Sequence, residues 1–258
     1  MKKEITLEER KKIQLDMLVE IDAFCRSHNI KYILAFGTLL GAIRHKGYIP
    51  WDDDVDISMP LEDMLRFKKE FKSKNLKYCD IDTENGYEYH FSRIAFKPTF
   101  SKLGALGKSY GVNIDLYPMI EVSSRFADNN RVVRKLQPVL KKRLFMIRLR
   151  NLFARFLPVS TIIGLKSIVR QYRDLSFNLF ECKNGGSYHF FAGPLEKFDL
   201  HTLDFNPFDD IIDVDFEGKK FMAPAKYHEY LTKRYGEYMQ LPPENERYPY
   251  HGGVYFWI

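Results

Sequence analysis

Apolar residues recur at helical spacing at the start of the chain, at Ile13, Met17, Leu18, Ile21 and Phe24, behind a capping-box pattern at Thr6-Leu7-Glu8-Glu9. This predicts an amphipathic helix over residues 7 to about 27, with Asn29 as its stop. The period then changes. Tyr32-Ile33-Leu34-Ala35-Phe36 is a short, almost wholly apolar run ending at Gly37, as expected of a strand buried on both faces, and a helix is expected from Thr38 to about Arg44. Lys46-Gly47-Tyr48-Ile49-Pro50 carries loop punctuation. From Asp54 the chain alternates, with Asp54, Asp56 and Ser58 on one face and Val55, Ile57 and Met59 on the other, a half-buried strand.

Further elements follow from the same patterns. Pro60 opens a helix over about 61–73, strand-like runs lie at Tyr78 to Ile81 and Tyr87 to Phe96, and Val112-Asn113-Ile114-Asp115-Leu116 repeats the alternation with Asp115 on its polar face. Residues 127 to about 182 lack a strand pattern and predict two helices broken near Leu157-Pro158. Beyond them, Gly185-Gly186-Ser187 reads as a loop and Phe216 to Phe221 as a hairpin, and a helix is expected from Pro224 to Gly236. The expected class is α/β (α+β), a mixed sheet flanked by helices. We read one domain over residues 1–258, with residues 127–182 as a basic helical insertion within it.

Charge changes this picture in one place. The net charge is +6, yet Arg131 to Arg173 contains 12 Lys and Arg and no acidic residue, so the rest of the chain is net acidic. A basic segment on an acidic body points to a local anionic partner rather than to nucleic acid. Residues 131–155 also interleave Leu140, Leu144, Phe145, Ile147, Leu149, Leu152, Phe153 and Phe156 with those cations, or just beyond them, in the manner of an interfacial helix. A peripheral contact with the inner membrane face is therefore expected there. The charged N-terminal residues are unlike a secretory leader and no apolar run reaches the length of a membrane span, so a cytoplasmic location is expected. Cys25, Cys79 and Cys182 are scattered, odd in number and outside any Cys-x-x-Cys spacing, which argues against a disulfide framework and a zinc finger.

The chemistry concentrates in Trp51-Asp52-Asp53-Asp54-Val55-Asp56-Ile57. Two carboxylates at i and i+2 of a strand project to one side, and like charges so close call for a cation; hard oxygen donors suit Mg²⁺ or Mn²⁺. Asp54 and Asp56 are thus the expected metal and catalytic residues, with Asp115 as a third ligand and candidate base. Asp52 and Asp53 are expected to be supporting or solvated neighbours. Upstream, Gly37 and Thr38 form a glycine turn handing a strand over to a helix, where backbone N–H groups can hold donor phosphate. Arg44, His45 and Lys46 are candidates for the same phosphate. His251, near Arg247 in a Pro- and Tyr-rich tail, is a further candidate.

The run Ala35 to Gly47, the run Ile49 to Ile57, Asn113-Ile114-Asp115-Leu116-Tyr117-Pro118, and Tyr235 to Met239 with Pro242-Pro243 closely resemble the LicD family. The resemblance implies a nucleotidyltransferase-type fold and a cytoplasmic, metal-dependent enzyme that moves phosphocholine from CDP-choline, or a related group from another CDP-alcohol, onto a sugar of a cell-surface glycan precursor. A lipid-linked acceptor would suit the basic insertion. The implied metal positions are Asp54, Asp56 and Asp115. Fukutin-related ribitol-phosphate transferases are similar, but their cysteine-rich zinc-binding loop has no counterpart in this sequence. A choline head group would require an aromatic box, for which Tyr48, Trp51, Tyr117 and Tyr248 are the candidates. Transfer of another phosphoalcohol or sugar phosphate, nucleotidyl transfer, and an inactive membrane-surface protein are the alternatives.

Overall fold

The computed structural model describes residues 2–84, 87, 89, 91–101, 110–123, 186–190, 202–248 and 253–258, together with Pro138, Lys141, Phe145, Arg170 and Asp174. The expected insertion helices over 127–182 and His251 lie outside these residues, save for the five single positions. Those five are helical and exposed. Among the described residues no helix is long and apolar enough to cross a membrane.

Helix α1 (Leu7–Ser27) begins as its sequence dictates, with Thr6 Oγ1 accepting from Glu9 N–H and the Glu9 carboxylate accepting from Thr6 N–H. Its buried stripe includes Ile13, Met17, Leu18 and Ile21, but also Arg10 and Gln14. Those two polar residues lie on the core-facing side because the site needs them there.

The central sheet has seven strands: β2 (Ile33–Leu34), β3 (Asp56–Pro60), β4 (Leu76–Cys79), β5 (Ser92–Phe96), β7 (Asn113–Ser123), β8 (Gly186–Phe190) and β9 (Thr202–Leu203), five of them in the order β2-β3-β7-β5-β4. Among the described residues only β3 and β7 run parallel, with Asp56 opposite Asp115; β8 pairs the far half of β7 and then β9. Helices α2 (Phe36–His45) and α3 (Leu61–Glu70) flank β3 in sequence. A second, three-stranded sheet joins β1 (Glu4–Ile5), β12 (Tyr255–Trp257) and β6 (Thr99–Ser101). The hairpin of β10 (Ile211–Phe216) and β11 (Lys219–Pro224) turns through Glu217 and Gly218, both at positive φ, and is followed by α4 (Tyr227–Tyr235). This is the mixed α/β class the sequence predicts.

Several boundaries differ from expectation. The buried strand after α1 is only Ile33–Leu34, and α2 starts at Phe36 rather than Thr38. The left-handed residue of that turn is Phe36, at φ +47, not Gly37. The Asp strand enters the ladder at Asp56, two residues later than the alternation implies, and the Tyr87 to Phe96 run pairs only from Ser92. Strand β7 runs on to Ser123 through Pro118, which faces Met59. Gly186-Ser187, expected as loop, begins β8, and the helix expected at Pro224 begins at Tyr227 because β11 holds Pro224.

Candidate functional site

The site forms where β3 and β7 begin side by side and α2 sets out. Asp56 opens β3 with its peptide fixed at both ends. Its N–H donates to Thr38 Oγ1 at 2.8 Å, and its carbonyl accepts from Ala35 N–H at 3.0 Å. One turn of helix thereby fixes the carboxylate-bearing residue. The side chain is buried, and its Oδ1 has no hydrogen-bond partner among the described residues. Burial, then the charges of Asp54, Asp115 and Asp52, push the Asp56 carboxyl well above its ordinary range; Arg234 opposes the shift.

Asp52 and Asp54 sit half-buried in the extended lead-in to β3, and one carboxylate oxygen each of Asp52, Asp53 and Asp54 lies within 4.8 Å of the others. Burial and the neighbouring Asp54 push Asp52 up to about 7. Of the two roles expected for these residues, supporting or solvated, the solvated one does not hold for Asp53, which is buried, while Asp52 is half-buried. Asp53 is 2% exposed, and its Oδ2 accepts from Arg10 Nη1 at 2.8 Å. Gln14, one turn on from Arg10, donates to the carbonyls of Asp53 at 3.4 Å and Asn113 at 3.1 Å, tying α1 to both site strands. The signal was present in the sequence: Arg10 and Gln14 fall on the apolar stripe of α1.

Gly37 has a reason other than flexibility, because a Cβ there would meet Asp52 Oδ2 at 2.7 Å. The acidic turn and the first turn of α2 are in contact, and glycine leaves the room. Gly41 does the same for the following loop, where a Cβ would lie 2.5 Å from the Gly47 carbonyl oxygen. Phe36 carries the backbone strain; its N–H donates to Tyr230 Oη of α4 at 3.0 Å, and its ring meets Tyr117 edge-on at 5.0 Å.

Asp115 faces Asp56 across the parallel pair, and Arg93 of β5 holds it through Nε at 2.7 Å and Nη2 at 3.2 Å, while Asn113 Nδ2 donates to it at 2.7 Å. Arg93 went unnoticed in the sequence, although its place opposite Asp115 follows once β5 and β7 are paired.

Other expected residues are placed as follows. Arg44 donates to the carbonyls of Tyr238 at 2.7 Å and Gln240 at 3.2 Å and to His45 Nε2 at 2.9 Å. Burial and the Arg44 charge push His45 below its ordinary value, which leaves it a poor cation near pH 7. Lys46 is exposed, in the left-handed position that ends α2. Tyr48 turns toward α1, its hydroxyl donating to the Lys11 carbonyl at 3.1 Å, and packs on Phe216. Trp51 lies under the Arg247 guanidinium at 5.6 Å, and Tyr248 is 51% exposed. Of the four aromatic candidates, Tyr117 stands at the carboxylates, within 3.5 Å of Asp115 Oδ2 through its hydroxyl.

The chemistry of the site fits a hard divalent cation: Asp52, Asp53 and Asp54 bring carboxylate oxygens together, and the buried Oδ1 of Asp56, without a hydrogen-bond partner among the described residues, is the kind of atom that such an ion would satisfy. Residues 29–154, which contain this cluster, match the family described as LicD/FKTN/FKRP, nucleotidyltransferase domain. The chain is 28% identical over 263 aligned positions to the lipopolysaccharide cholinephosphotransferase LicD of Haemophilus influenzae, an alignment covering 96% of this chain and 97% of that protein. It is also 41% identical over 68 residues to an uncharacterized protein of Rickettsia typhi, covering 26% of this chain and 22% of that protein. The family match and the near full-length similarity agree, and the domain of residues 29–154 belongs to the LicD family.

Proposed function

We propose that this protein is a transferase moving phosphocholine from CDP-choline to a sugar hydroxyl of a lipopolysaccharide-class glycan, in a reaction that requires Mg²⁺ or Mn²⁺. The observation that carries the reading is the buried, unbonded Asp56 oxygen beside Asp54 in a chain similar along nearly its whole length to a lipopolysaccharide cholinephosphotransferase. Asp54 and Asp56 would hold the ion, which when bound neutralises charge on the phosphate oxygens.

The chain's own residues account for the rest of the site. The acceptor hydroxyl oxygen attacks the phosphorus that bears choline, its proton passing to solvent, the bond from that phosphorus to the bridging oxygen breaks, and CMP leaves with the bond's electron pair. Gly37 lets the first turn of α2 approach the carboxylates, so the backbone N–H groups there can face a donor phosphate. Asp115 suits an orienting role or a third ligand better than a base, because Arg93 already engages both of its oxygens. For the choline head, Tyr117, whose hydroxyl lies beside the Asp115 carboxylate, is the aromatic candidate nearest the acidic cluster.

Phosphorus NMR of the purified protein with Mg²⁺, an extracted glycan acceptor and a panel of CDP-alcohols tests the reading. The expected result is CMP and a glycan phosphodiester from CDP-choline. Release of pyrophosphate from a nucleoside triphosphate, with the nucleotide kept on the product, would replace this reading with nucleotidyl transfer.

A further inference from the structure

The ion pair of Arg10 and Asp53 is buried, with side chains 7% and 3% exposed, and is joined by one bond of 2.8 Å. A buried ion pair costs the hydration of both charges, and a well-packed apolar pair in its place is often as stable. This pair is also incomplete. Arg10 Nε and Asp53 Oδ1 are buried and have no hydrogen-bond partner among the described residues, where a two-point fork would bond both carboxylate oxygens. Stability therefore does not account for a cation on the apolar stripe of α1, and its placement does.

Asp53 lies between Asp52 and Asp54, and one carboxylate oxygen of each lies within 4.8 Å of the others. Arg10 draws the Asp53 carboxylate against α1, and Gln14 donates to the Asp53 carbonyl, so one helix holds both the side chain and the backbone of the middle residue. The same Gln14 amide donates to the Asn113 carbonyl, and Asn113 Nδ2 donates to Asp115. Arg10 is held in its turn. Its guanidinium carbon lies 4.5 Å from the centroid of the Tyr255 ring in β12, and β12 pairs with β1 just ahead of α1. The C-terminal strand and the first helix thus bear on the acidic turn together.

We infer that Arg10 is a positioning residue for the cation site: through Asp53 it fixes the middle of the acidic turn, so that Asp52 and Asp54 on either side stand at a set spacing from Asp56. The inference rests on the cation reading above, and on contacts that the chain makes by itself. Residues that orient ligands without touching the ion govern its affinity by about 10- to 100-fold. Action by charge alone would have the opposite sign, because a cation beside several carboxylates repels the incoming ion.

Calorimetric titration of the full chain with Mn²⁺ tests this, beside thermal melts of the same samples without the ion. In the double variant R10M/D53N the pair is removed from both sides, its summed charge stays zero and no buried charge is left unpaired, so the melting temperature is expected to stay close to wild type. Its Mn²⁺ affinity is nevertheless expected to fall about tenfold or more. R10K, which keeps the charge but not the planar guanidinium on Tyr255, should lie between the two. Wild-type or tighter affinity in R10M/D53N overturns the inference. Should that variant melt below the assay temperature, R10K decides, and unchanged affinity there overturns it equally. Wild-type protein that takes up no Mn²⁺ overturns the cation reading and this inference together, whereas binding that the variants keep in full overturns this inference alone.

Discussion

At the scale of single residues, the site is built from compensated strain. Asp56 is a carboxylate in a buried position with a vacant acceptor oxygen, and its charge is disfavoured by burial and by three neighbouring carboxylates. Asp56→Asn keeps the shape and removes a charge, so it is expected to abolish turnover, by about 100-fold or more, with a melting temperature equal to or above wild type. A circular dichroism melt and a CMP-release assay check the two halves. Gly37→Ala places a methyl against Asp52 Oδ2, so Asp52 or the turn must move; turnover should fall at least about tenfold while the protein stays folded. The acidic run could be read from residues alone, but its division could not. The sequence left Asp52 and Asp53 open between supporting and solvated roles, and the structure buries Asp53 against a partner 43 positions away in sequence, Arg10. No local pattern encodes that pairing, though a cation on an apolar helical stripe is its trace.

At the scale of elements, three helices hold one short segment in place. The first turn of α2 brackets the Asp56 peptide, α1 fixes Asp53 through Arg10 and Gln14, and α4 holds the Phe36 N–H through Tyr230. Tyr230→Phe leaves a buried N–H without its acceptor and is expected to cost about 1–3 kcal/mol in denaturant unfolding. The cost for activity should be larger than for stability, because the lost bond supports the strained turn. Helix α1 and the β10–β11 hairpin were fully legible, the first from Thr6 and Glu9 and the second from Glu217-Gly218. The strand edges were not. Gly186 reads as loop, yet β8 starts there, and β7 runs on through Pro118, because pairing with sequence-distant neighbours outweighed local punctuation.

At the scale of the whole molecule, the clustered carboxylates make stability depend on pH and on cations. Asp52 and Asp56 bind protons more tightly in the folded chain than in the unfolded one, so metal-free protein loses stability as pH rises from about 4 through about 7, and it does not regain that contribution above. Thermal melts across that range should show this decline, and Mg²⁺ or Mn²⁺ at pH 7.5 should reverse it in wild type but not in Asp56→Asn. A flat profile that ignores the cation would show that the carboxylates are satisfied within the protein. The motif residues are packed together locally: Gly37 abuts Asp52 of the aspartate run, and Gly41 abuts the Gly47 loop that follows α2. The most direct test of the account is the rate of CMP release from CDP-choline with a lipopolysaccharide acceptor, compared between wild type and Asp54→Asn or Asp56→Asn. The account predicts turnover that requires Mg²⁺ or Mn²⁺, stops on chelation and is lost in both variants. Undiminished release by either variant, or by wild type after complete chelation, would contradict it.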